Sequence, residues 1–77
     1  MTKKEFDLIK YVINDSLKKE NISPAIRLVT LYSEFELINY RVRERLYNCL
    51  RNGIYLTCSM YDEFKSLEDE KEVKKND

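Results

Sequence analysis

Seventy-seven residues suffice for one domain, and a chain this short buries a limited share of its surface, so small domains often add an oligomeric contact, a metal or disulfides. Two cysteines, Cys49 and Cys58, outside any CxxC spacing and the absence of histidine leave neither a disulfide framework nor a recognisable metal-ligand set. Fourteen basic residues against fourteen acidic ones remove any global electrostatic pull toward nucleic acid and any role as a polyanion mimic.

The first predicted element is a helix over residues 3–19. Thr2 stands where an N-cap is needed, and Glu5 three residues later completes a capping-box pattern. Phe6, Ile9, Ile13 and Leu17 keep to one face, widened by Leu8 and Val12, while Asp7 near the start and Lys18 and Lys19 near the end suit the helix dipole. A short link, residues 20–22, then leads to Ser23.

From Ser23 the apolar periodicity predicts one long central helix over residues 24–52. Ser23 reads as its N-cap, Pro24 suits the first helical position, and Asn52-Gly53 supplies a stop able to take positive φ. Leu28, Leu31, Tyr32, Phe35, Ile38, Val42, Leu46, Cys49 and Leu50 fall on one face, interrupted by Asn39. A helix of about 29 residues would be roughly 44 Å long, more than a domain of this size spans. Either it breaks between Glu34 and Asn39 or a second copy covers it. The second reading is preferred, with Leu28, Phe35, Val42 and Leu46 as the dimer core.

Residues 54–58 are apolar and β-leaning, an extended connector or the first turn of the last helix. That helix is predicted over residues 59–72, with Ser59 as N-cap, Asp62 in the first turn and Met60, Phe64 and Leu67 on one face. Residues 74–77 read as a frayed tail. The expected architecture is therefore all-α, a single domain over residues 1–73 with three helices, the central one longest, paired as a helical homodimer.

Chemistry has few places to reside. Without histidine the side chain that titrates nearest neutrality is missing, and no Cys/His or Ser/His pair, phosphate-cradling glycine loop or nucleophile elbow is present. The carboxylates at Glu34 and Glu36, and those from Glu68 to Glu72, sit one or two apart on helices and diverge. A non-enzymatic protein without a cofactor is expected. Four of the five arginines lie between Arg41 and Arg51. Arg41, Arg45 and Asn48 share one side of the helix and are candidate nucleic-acid contacts. Tyr40, Arg43, Tyr47 and Arg51 form a flank of the type found at protein interfaces, where tyrosine brings area at small entropic cost and arginine brings directional bonds. A helix-turn-helix reading, with the central helix, the Asn52-Gly53 turn and residues 59–67 as the recognition helix, would point Asp62, Glu63, Glu68 and Asp69 at phosphates, so repulsion opposes it.

No apolar run approaches the length of a membrane span, and the first residues lack an apolar signal core. A cytoplasmic location without membrane contact is expected. Lys, Asn, Ile, Tyr and Glu are abundant while Ala, Gly and Pro occur once each, the bias of an AT-rich genome. Together these features suggest a small phage or mobile-element protein that binds and regulates or inhibits a host or cellular protein. The alternative is a nucleic-acid-binding or transcription-control protein.

Overall fold

The structure, a computed structural model, describes the backbone of residues 1–75 and side chains through Asp69. It is all-helical: α1 (Lys3–Lys18), α2 (Ser23–Glu34), α3 (Tyr40–Asn52) and α4 (Tyr61–Lys75), with a 3₁₀ turn at Cys58–Met60 before the last. Each helix packs on its neighbour in sequence: α1 on α2, α2 on α3, α3 on α4. Short connections between amphipathic helices leave little other choice.

α1 forms as its sequence dictates. The Thr2 hydroxyl accepts from the Glu5 amide at 3.1 Å, and the Glu5 carboxylate accepts from the Thr2 amide at 2.8 Å, so two orphan amides are satisfied reciprocally. Phe6, Ile9 and Ile13 are fully buried, whereas Leu8 is half in water. Phe6 meets Tyr61 edge-on at 5.4 Å and Phe64 at 5.6 Å, joining the first and last helices. The Met1 ammonium adds an ion pair with Glu68 at 2.7 Å, and Tyr61 Oη donates to the Met1 carbonyl.

The predicted central helix is two helices. α2 ends at Glu34, and the Glu36 amide donates to Ser33 O while the Leu37 amide donates to Tyr32 O. These two bonds form a Schellman cap, which requires Glu36 in the left-handed region, at φ 61°. Asn39 then caps α3, its Oδ1 accepting from the Val42 amide at 2.9 Å. Its Nδ2 donates to the Leu67 and Glu68 carbonyls of α4 at 3.3 and 3.4 Å. The polar residue interrupting the apolar stripe thus marks the break.

The break also changes the phase of the apolar face. Ile38, Val42, Leu46, Cys49 and Leu50 are buried as the stripe predicts, but α2 buries Ala25 and Val29. Leu31 and Phe35, assigned to the stripe, point outward at 42% and 71% exposure. The dimer core predicted from the stripe is divided accordingly. Val42 and Leu46 are fully enclosed by the chain's own helices, Leu28 is half-buried against them and Phe35 is in water.

Two predicted caps shift. Ile22, not Ser23, precedes α2, without a side-chain cap bond, and the Ser23 amide reaches Asn21 Oδ1 at 3.4 Å. Glu20, at φ 58°, ends α1 with the same double bond pattern seen after α2, Asn21 N–H to Ser16 O and Glu20 N–H to Leu17 O. Ser59 lies inside the 3₁₀ turn, its hydroxyl 3.0 Å from that of Thr57, and α4 starts at Tyr61. The predicted face of Met60, Phe64 and Leu67 does meet the core, with Phe64 fully buried. α4 continues to Lys75, and residues 76–77 of the predicted tail lie outside the described residues.

After Gly53, whose φ of 68° closes α3, residues 54–57 run without helix or strand structure. Asn14 holds them. Its amide donates to Leu56 O at 3.0 Å and accepts from Leu56 N at 2.8 Å, matching both backbone groups of a buried residue. Replacing Asn14 by alanine removes both bonds from a part-buried site, so chemical denaturation should show a loss of about 1–3 kcal/mol. Glu36→Gly should act oppositely, relieving the Cβ conflict at positive φ and stabilising by about 0.5–1 kcal/mol in the same assay.

Candidate interaction surface

The first turn of α3 builds the most exposed part of the predicted Tyr/Arg flank. Capping by Asn39 places Tyr40 as the first helical residue, where the preceding chain cannot cover it, and its ring is 66% exposed. Arg43, three residues on and therefore on the same side, lays its guanidinium 5.0 Å from the Tyr40 ring centroid. Its Nη2 also meets Glu44 at 3.4 Å, while its Nε is buried without a hydrogen-bond partner among the described residues. Glu36, Leu37, Ile38, Asn39, Tyr40 and Glu68 line an open cleft beside this pair. Leu37, at its edge, is 42% exposed.

The other two flank residues do not join Tyr40 and Arg43 as equals. Tyr47 is half-buried, and its hydroxyl shares a 2.7 Å hydrogen bond with Thr30, whose own hydroxyl also reaches Ile26 O. It is a joint between α3 and α2. Arg51 is exposed in the last turn of α3, where its charge complements the helix dipole.

The arginines proposed for nucleic acid are occupied within the fold. Arg45 pairs with Glu63 of α4 at 2.6 Å, its Nε buried without a partner among the described residues. Arg41 is half-buried and engaged. Asn48 accepts from Asn52 Nδ2 at 2.7 Å. No face of α3 therefore presents Arg41, Arg45 and Asn48 together as unengaged donors.

Below the Arg45–Glu63 pair lies Cys49, fully buried. Burial pushes its thiol up from the ordinary value; Arg45 opposes that shift and Glu63 adds to it. Burial, assisted by the Glu5 carboxylate, likewise raises the Tyr32 phenol. Among the described residues, no group of three or more Cys, Asp and Glu side chains is placed to hold a metal ion, and no helix is long and apolar enough to cross a membrane.

Further exposed apolar groups lie outside the predicted flank. Tyr11 and Tyr55 flank a groove with Lys10, Asn14, Asp15 and Lys18, while Ile26, Leu31 and Phe35 stand on the outer side of α2. The α2 group would have been legible only if the break after Glu34 had been known, because a continuous helix turns Leu31 and Phe35 inward.

No protein family, no curated protein and no solved structure matches this chain. The two thiols give a direct check on the site's construction. With a thiol-specific reagent under native conditions, exposed Cys58 should react at once and Cys49 only on unfolding, because its thiolate is both inaccessible and disfavoured. Two equally fast thiols would contradict the packing under Arg45.

Proposed function

We propose that the chain is a non-enzymatic binding protein that regulates or inhibits a protein partner through the Tyr40–Arg43 surface. The observation that carries this reading is the stacked pair itself. A largely exposed tyrosine held under an arginine, beside a cleft edged by exposed Leu37, combines large contact area with directional donors. An acidic group on the partner would find Arg43, whose ion pairing among the described residues is a 3.4 Å contact to Glu44, and then exposed Arg51 further along the same helix. The amino-acid composition, rich in Lys, Asn, Ile, Tyr and Glu, supports a phage or mobile-element origin, with a host or cellular protein as target.

The nucleic-acid alternative draws its support from the arginine content of α3 alone. With Arg45 paired to Glu63 and Arg41 engaged, few of those charges remain for phosphates. An uncovered helix of roughly 44 Å would call for a second copy to cover it; two shorter helices packed on one another do not.

Immobilised chain exposed to nuclease-treated lysate of an AT-rich bacterium should retain one protein in stoichiometric amount. Tyr40→Ala and Arg43→Ala, both on the outside of α3, should each lower retention about tenfold or more without changing helix content by circular dichroism. If untreated lysate yields nucleic acid alone, removed by nuclease or by salt, and treated lysate yields nothing, the alternative replaces this reading.

A further inference from the structure

α2 turns Ala25 and Val29 to the core and a different kind of face to water. On that outer side a shallow groove is lined by Ser23, Ile26, Arg27, Thr30, Leu31 and Glu34. Phe35, one helical turn beyond Leu31, is the most exposed large apolar side chain among the described residues, at 71%. Thr30 is already tied to Tyr47. Arg27 and Glu34 are different: both are exposed, and neither makes an ion pair or side-chain hydrogen bond with any described residue. Seven positions apart on one helix, they are separated by roughly 10 Å along the axis and do not reach each other.

We propose that this face is the seat of a second copy of the same chain, α2 lying antiparallel to α2 across a two-fold axis beside Leu31. The charge pattern selects that occupant and that direction. Reversing the helix end for end sets Arg27 of each copy against Glu34 of the other, so one contact appears twice, as an isologous interface requires. A parallel copy would set like charges together. At the centre Leu31 meets its own symmetry mate, and Phe35 falls over the opposing helix near Pro24 and Leu28, removing both side chains from water. This interface is not the buried stripe of α3, and it uses neither Tyr40 nor Arg43, so it stands or falls independently of the partner-binding surface.

Its extent sets its strength. Twelve residues of helix give a contact about 18 Å long, short of the roughly 800 Å² per partner of standard stable interfaces. So short a contact makes a weak dimer, sparse in dilute solution and populated at high concentration.

Sedimentation equilibrium of the full chain from about 5 to about 500 µM tests this, using the native chain, Arg27→Glu, Glu34→Arg and the double reversal. The native chain should pass from monomer to dimer across that range. Each single reversal places like charges at both symmetric contacts and should weaken association about tenfold or more, while the double reversal restores opposite pairs and should return within about threefold of native. Leu31→Asp, at an exposed position, should abolish the dimer, with circular dichroism confirming that each variant folds. A native chain that stays monomeric to the top of the range overturns the proposal. So does a dimer indifferent to the reversals, or a double reversal as weak as the singles.

Discussion

The fold depends on what one side chain does between two helices. Asn39, in extended backbone, accepts from the Val42 amide to start α3 and donates to the Leu67 and Glu68 carbonyls to place α4 beside it. An aliphatic residue there would extend the apolar stripe but leave an orphan amide and two unjoined segments. With Asn39 in place, α3 can turn Val42, Leu46 and Cys49 inward against helices of its own chain. A chain that looks too short to cover a long helix covers two shorter ones instead.

That change decides what remains on the surface. A continuous helix would bury Phe35 and Val42 on one side, whereas the turn after Glu34 separates them, one in water and the other enclosed. The same turn brings α2 back along α3, where Thr30 and Tyr47 share a hydrogen bond. Tyr40 consequently begins a helix with nothing before it to cover its ring, and Arg43 stacks upon it. Exposure at this surface is a consequence of where the helix stops.

Much of the local structure was legible in the amino acids because the relevant physics is local. The Thr2/Glu5 capping box, the buried faces of α1 and α3, the glycine stop at Gly53 and the Phe64 face of α4 all follow from spacing and side-chain chemistry. The breaks were less legible. Gly53 advertises its positive φ, but Glu20 and Glu36 adopt the same region without any conformational preference for it. Asn39 was visible as an interruption of the stripe, yet an asparagine can equally be a tolerated polar residue within a helix or a cap. Its bonds to Leu67 and Glu68 lie 28 and 29 residues away, and such tertiary partners decide between the two. The candidate site inherited that ambiguity: Tyr40 could be placed on a flank from sequence, but the engagement of Tyr47 by Thr30 and of Arg45 by Glu63 required knowing how the helices fold back.

The measurement closest to the centre of this account is the set of backbone carbon chemical shifts through residues 31–43 in the full chain. The structure predicts helical shifts ending near Glu34, a left-handed signature at Glu36, an extended one at Asn39 and a fresh helical run from Tyr40. Uninterrupted helical shifts from Pro24 to Asn52 would contradict it, restoring one long helix and removing the turn on which the exposed surface of α3 and the outer face of α2 both depend.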